Sequence, residues 1–284
     1  MFERSGCLAC HKLAGRGGSL GPELSREGDK VPAELPMAKL RGPHTLPQWL
    51  LEHFRDPAAV VAGSQMKPVE MTADDIEALT VYVLSLRQLE LPSKYLSPGR
   101  FLVLHRLRNP PVEPPAVLYE KMCASCHDTG RHGRWDKYWK RFVPAIRGPS
   151  LVQLAPSRLI EQTIQRGRGS TLMAPWAGGL RDSEIDALVD WLLDSPVPPE
   201  QHLPADVVAL ARSGDTLSGD AGAGATSFER HCAACHGSEG QGILGPRLAS
   251  SVLQDSATDG FLFATIAYGR QGTAMPAFLA PGRG

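Results

Sequence analysis

All six cysteines of the chain fall into three copies of one pattern: Cys7-Leu-Ala-Cys10-His11, Cys123-Ala-Ser-Cys126-His127 and Cys232-Ala-Ala-Cys235-His236. Two thiols separated by two residues, with an imidazole directly after the second, is the spacing of c-type haem attachment. A short bend presents both thiols to the two vinyl groups on one edge of a porphyrin. The next side chain then folds under the ring, where its imidazole can bind the iron. The pattern implies three covalently bound haem c groups, with His11, His127 and His236 as proximal ligands.

Other uses of paired cysteines account for less. A disulfide scaffold is small and cysteine-dense, whereas this chain has 284 residues and leaves a histidine unexplained after every pair. A structural zinc site needs two pairs, or a pair and two histidines, close together, and these pairs lie a domain apart. A thioredoxin-like pair needs a βαβ surround, and the sequence does not alternate strand with helix.

An iron held by one histidine keeps an open face. His/Met ligation raises the potential and suits electron transfer, while an open face suits substrate chemistry. The segment from Thr163 through Gly167-Arg168 and Thr171 to Met173 and Trp176 aligns without a gap with Thr265 through Gly269-Arg270 and Thr273 to Met275 and Phe278. Core methionines are commonly filler, but filler does not recur in register, so Met173 and Met275 are the expected distal ligands. In the first segment Met66 is chosen over Met37 and Met71, because its proline-flanked loop precedes a helix as that of Met173 does. His44 and His53 are rival ligands there.

Three attachment sites at similar spacing imply a repeated unit, and the elements around them read as helices joined by Gly/Pro-rich loops. The expected units are 1–92, 112–196 and 219–284, with linkers at 93–111 and 197–218. In the first, 47–54 reads as a short helix. Thr72 caps a second helix over 72–86, with acids in its first turn and Ile76, Leu79, Val83 and Leu86 on one face. The connector after Pro92 is proline-rich and semi-rigid, with Lys94, Arg100, Arg106 and Arg108 on a solvated stretch. Helices are expected at 116–122, 182–193, 205–212 and 259–268, and one leads to His231. The basic and aromatic stretch 131–147 reads as haem-propionate donors and ring-covering aromatics rather than a nucleic-acid surface.

Thirty Lys and Arg balance thirty Asp and Glu, so bulk charge favours neither nucleic acid nor an anionic membrane. No apolar run reaches the roughly 20 residues of a transmembrane helix. No signal peptide precedes Cys7 and no closing helix follows the third site. These features lead us to expect a mature or cut form of an exported protein, because haem attachment of this type takes place outside the bacterial cytoplasm.

With these motifs the chain resembles tandem class I cytochromes c over nearly its whole length. The resemblance implies an all-α fold of three haem domains joined by Pro-rich linkers. It also implies a Gly-Pro-x-Leu turn whose proline carbonyl accepts a hydrogen bond from the proximal histidine. That turn is read at Gly21-Pro22, Gly148-Pro149 and Gly245-Pro246. The Ser64-x-Met66 loop is similar to haem domains of bc-type quinol:cytochrome c reductases. The function implied is single-electron transfer as the cytochrome c part of such a respiratory complex. Its donor would be a membrane cytochrome b-type complex or a dehydrogenase, and its acceptor another cytochrome or a terminal oxidase. The alternatives are a periplasmic dehydrogenase's cytochrome subunit and a multihaem peroxidase-like enzyme.

Overall fold

Side chains of Thr45, Asp56, Thr72, Asp220 and Thr258 cap the starts of several helices. The computed structural model describes residues 2–87, 93–95, 97–99, 102, 105, 109–169 and 171–279. Arg100, Arg106 and Arg108 of the connector lie outside them. The helices are α1 (Leu46–Arg55), α2 (Pro57–Val60), α3 (Ala73–Leu84), α4 (Pro115–Met122), α5 (Ala124–His127), α6 (Pro149–Leu154), α7 (Ser157–Arg166), α8 (Asp182–Leu193), α9 (Ala205–Arg212), α10 (Ala221–His231), α11 (Ala233–His236), α12 (Ser251–Ser256) and α13 (Asp259–Tyr268). Thr72 Oγ1 accepts the Asp75 N–H at 3.2 Å, and the Asp75 carboxylate accepts the Thr72 N–H at 3.3 Å. This reciprocal capping box starts α3. Ile76, Leu79 and Val83 of α3 are buried.

The chain divides into two units, Met1–Ser125 and Cys126–Gly284, with the boundary inside the second attachment motif. In the first unit α1 packs on α3, and Leu46, Trp49 and Leu50 are buried. The helix lying against the first attachment turn is α4, which the sequence assigns to the second repeat. Lys121 of α4 is held by Glu3 at 2.7 Å and Glu113 at 2.5 Å. A Cβ at Gly6 would stand 2.6 Å from the Ser125 Cβ, so the chain next to Cys7 is in van der Waals contact with the second motif.

In the second unit the helices pack in an exchanged manner: α7 lies against α12, and α13 lies against α6. The buried cluster Leu151, Leu154, Leu159, Ala211, Leu253, Phe261 and Ala264 draws on both repeats and on α9 between them. The 197–218 connector is therefore part of the core through α9. Gly260 of α13 permits the closest crossing, since a Cβ there would sit 2.0 Å from the Leu210 carbonyl oxygen. Arg212 Nη2 donates to the Val152 carbonyl at 2.8 Å from the end of α9.

The fold is largely helical, as expected, with two small antiparallel hairpins among the described residues. One pairs β1 (Lys12–Leu13) with β2 (Arg16–Gly17), and the other pairs β3 (Arg134–Asp136) with β4 (Arg141–Val143). Among the described residues no helix is long and apolar enough to cross a membrane.

Candidate haem-attachment sites

Each attachment motif winds into one helical turn, and in the first and third the histidine N–H is accepted by the first cysteine's carbonyl: His11 to Cys7 at 2.9 Å and His236 to Cys232 at 2.9 Å. His11 Nδ1 lies 2.9 Å from the Pro22 carbonyl, His236 Nδ1 2.9 Å from that of Pro246, and His127 Nδ1 3.3 Å from that of Pro144. An imidazole whose Nδ1–H donates to a backbone carbonyl presents Nε2 to a metal and is fixed in orientation. Burial lowers the pKa of His11 and His127, against the pull of their proline carbonyls. Both rings are thus kept neutral, the form a metal requires. Burial pushes the Cys7 thiol up to about 11 and raises that of Cys232 as well. Among the described residues no group of three or more His, Cys, Asp or Glu is placed to hold a metal.

The second repeat departs from the expected turn. Pro149 does not serve His127. It is the first residue of α6, and its carbonyl accepts from Gln153 Nε2 at 2.9 Å. The equivalent turn is Val143-Pro144-Ala145-Ile146. Ile146 and Arg147 donate to the Gly130 carbonyl at 2.9 and 2.7 Å, as Leu248 and Ala249 donate to that of Gly240 at 2.8 and 2.9 Å. The β3–β4 hairpin lengthens the loop between histidine and proline and moves the turn upstream of Gly148.

That hairpin is the basic and aromatic stretch. Arg134 Nη2 donates to the Cys126 carbonyl at 2.9 Å and pairs with the buried Asp136 at 3.0 Å. Asp136 accepts the N–H groups of Tyr138 and Trp139 at 3.0 and 3.1 Å. Arg147 Nε donates to Ser195 Oγ at 2.8 Å and lies 3.9 Å over the Trp191 ring. These contacts strap the hairpin to the attachment turn and to the end of α8, a structural use of residues expected to serve propionates.

The two aligned methionine loops are congruent bond by bond. Arg168 N–H donates to the Met173 carbonyl at 2.8 Å and Arg270 N–H to that of Met275 at 3.1 Å. Thr171 Oγ1 accepts the Met173 N–H at 3.0 Å, and Thr273 Oγ1 accepts that of Met275 at 3.2 Å. Trp176 N–H reaches the Ile164 carbonyl and Phe278 N–H that of Ile266, at 3.0 and 3.1 Å. Gly167 and Gly269, at φ +68° and +69°, end α7 and α13 in the left-handed region that glycine alone enters freely. A Cβ at either would stand 2.5 or 2.8 Å from the methionine carbonyl oxygen. Met66 shares one feature with both: its N–H donates to Ser64 Oγ at 3.2 Å. A hydroxyl two residues ahead of each chosen methionine was visible in the sequence, but its bond was not.

Of the rival ligands, His44 is exposed. His53 stacks on Trp49 with centroids 4.4 Å apart and planes 11° off parallel. Its Nδ1 and the Trp49 Nε1 are buried without a hydrogen-bond partner. Burial pushes the His53 imidazole down to about 4, with repulsion from His11 and Lys30 adding to it. The unfolded chain therefore binds more protons between pH 4 and the ordinary imidazole value of about 6.5, and stability falls as pH drops through that window. The loss amounts to about 3 kcal/mol by pH 4. Urea titrations at stepped pH should show this slope in the wild type and not in His53→Phe. An unchanged slope in the variant would assign the acid sensitivity elsewhere.

The residues present fit a haem. Gly21 and Gly245 lie flush against the imidazoles, since a Cβ would stand 2.3 Å from His11 Cε1 and 2.7 Å from His236 Cε1. Trp49 Nε1 is a buried polar atom without a partner that a propionate would satisfy. Arg168 and Arg270 are half-buried cations that form no ion pair among the described residues. Burial lowers the pKa of both, Arg270 to about 10 with the charge of Arg168 adding. A helical chain with thiol pairs, proline-bonded imidazoles and hydroxyl-held methionines is a c-type haem protein.

Comparison with known proteins agrees. The family model described as cytochrome C oxidase, cbb3-type, subunit III matches residues 110–192 and 219–282, more than half of the chain, and that of cytochrome c matches residues 1–87. The chain belongs to the cytochrome c family. It is similar to a dihydro-heme d1 dehydrogenase of Pseudomonas aeruginosa, 34% identical over 108 residues, covering 38% of this chain and 20% of that protein. It is also similar to a cytochrome c oxidase subunit 2 of Alkalihalophilus pseudofirmus, 30% identical over 92 residues, covering 32% of this chain and 25% of that protein. The chain thus spans a quarter or less of the length of these relatives.

Proposed function

We propose that this chain is a three-haem c-type cytochrome that passes single electrons between redox proteins on the extracytoplasmic, periplasmic side of a bacterial membrane. Its units are 1–92, 112–196 and 219–284, and its iron ligands are His11 and Met66, His127 and Met173, and His236 and Met275. The observation that carries the reading is the repeated geometry: three imidazoles bonded to proline carbonyls and three methionine N–H groups bonded to a hydroxyl two residues earlier. Haem iron, when bound, supplies the one-electron redox chemistry. The cysteine pairs Cys7/Cys10, Cys123/Cys126 and Cys232/Cys235 keep the group from dissociating. The proline carbonyls orient each imidazole, and the methionine loops hold a thioether ready for the opposite face.

Within that role the chain serves as the cytochrome c part of a quinol-oxidising membrane complex, a reading that rests on the Ser64-x-Met66 loop. A dehydrogenase's cytochrome subunit is the second reading, favoured by the printed name of the Pseudomonas relative. Copurification with a membrane cytochrome b or with a dehydrogenase separates them. The haem count is tested by the intact mass of protein matured in a host that attaches haem c. The expected mass is that of the polypeptide plus three haems, and the double variant Cys123→Ala/Cys126→Ala should lose covalent retention at the second site. A mass equal to the bare polypeptide would end the proposal.

A further inference from the structure

Arg168 sits in the loop that carries Met173, yet its side chain leaves that loop for the other repeat. Its backbone N–H holds the Met173 carbonyl at 2.8 Å, while Nη2 donates to the Arg247 carbonyl at 3.3 Å. Arg247 follows Pro246, whose carbonyl accepts from His236 Nδ1 at 2.9 Å. A short chain of bonds therefore joins the distal loop of the second site to the proximal loop of the third. The opposite loop reaches back: Gln271, next to Arg270, donates its N–H to Ser150 Oγ at 2.8 Å. The exchanged helix contacts, α7 on α12 and α13 on α6, hold both loops at this junction.

Two guanidinium groups partly withdrawn from water at one junction are costly without an anion. Neither is ion-paired among the described residues. A planar guanidinium fork matches a carboxylate, and a haem brings two carboxylates on flexible arms. We propose that Arg168 and Arg270 form a shared carboxylate clamp at the contact between the second and third repeats, so that these two haems titrate as a coupled pair while the first titrates independently. The inference rests on haem being bound at His127 and His236.

The test is a spectroelectrochemical titration of the full-length three-haem protein, with intact mass confirming the haem count of each variant. Arg168→Gln removes a positive charge that favours the reduced iron. We expect the midpoints of both the second and the third haem to fall, each by about a tenfold change in the reduction equilibrium, or ~59 mV for one electron. The first haem should not move. Assignment of the three components comes from Met66→Leu, Met173→Leu and Met275→Leu. Arg168→Lys keeps the charge and loses the fork, so a smaller fall of both is expected. Arg270→Gln is the second variant should Arg168→Gln mature poorly, and it too should lower both. A shift confined to one haem per arginine, or no shift at full haem content, would overturn the shared clamp. A haem count below three in the wild type would instead fault the haem reading.

Discussion

Alanine at Gly245 is expected to dislodge the His236 imidazole, whereas alanine at Gly148 should leave His127 untouched. A Cβ at Gly245 would stand 2.7 Å from His236 Cε1 and 2.8 Å from Nδ1, and one at Gly21 would stand 2.3 and 2.5 Å from the same atoms of His11. Ordinary contacts between such atoms are about 3.5–4.0 Å, so the ring or the backbone must move by an appreciable part of an ångström. The ring cannot move without giving up its 2.9 Å bond to the proline carbonyl, because that carbonyl belongs to the next residue. Overpacking of this kind costs about 1–3 kcal/mol, and losing an outer partner of a metal-binding histidine typically costs about 10–100-fold in metal affinity. At Gly148 a Cβ would meet the Ala145 Cβ at 3.2 Å and backbone oxygens at 3.5 and 3.9 Å, with His127 not among its near neighbours. Haem content and thermal unfolding of Gly21→Ala, Gly245→Ala and Gly148→Ala should therefore divide two against one. Equal damage in all three would mean that Pro149, not Pro144, supports the second imidazole.

That contrast marks where the sequence could be read and where it could not. The helical turn at each paired-cysteine motif and the capped helix after Thr72 depend on neighbours within a few residues, so spacing alone exposes them. The gapless match of the two methionine loops exposed an equivalence that the structure repeats down to individual N–H donors. The supporting proline of the second repeat was misread because a Gly-Pro-x-Leu tetrapeptide occurs by coincidence at the start of α6. The true turn has Val143 in place of glycine, and its bond is longer, at 3.3 Å. Recognising it needs the pairing of Arg134–Asp136 with Arg141–Val143, which draws Pro144 back towards His127. The role of α9 was equally hidden. Ala205–Arg212 reads as a short helix in a linker, and only the tertiary fit of Gly260 against Leu210 turns it into core. Such close approaches leave no periodicity behind, only a glycine.

Replacing Met173 by leucine is expected to remove the Met–iron charge-transfer absorption from one third of the haem and to lower the potential of that third. Leucine keeps the bulk and apolar character of the side chain and deletes the sulfur, so the loop should survive. Its frame is backbone: the Arg168 N–H on the residue-173 carbonyl and the Thr171 hydroxyl under the residue-173 N–H are both retained. Loss of ligation thus separates from loss of fold, and far-UV ellipticity should not change. Axial ligands set haem potentials over roughly 0.8 V, and loss of the thioether moves the iron down that range. Met275→Leu should do the same to a second third and Met66→Leu to the last, while Met37→Leu and Met71→Leu should change neither band nor potential. Met66 is the sharpest of these comparisons. It shares the hydroxyl-to-N–H bond with the other two but lies in a loop that does not otherwise match theirs, and His53 is the rival ligand that the sequence offers there. If Met66→Leu is silent and His53→Phe raises one potential, the first haem is bis-histidine and the ligand assigned to it is wrong. If any third of the wild-type haem already lacks the charge-transfer band and binds added cyanide, that iron is open to substrate. The peroxidase-like reading would then displace the electron carrier.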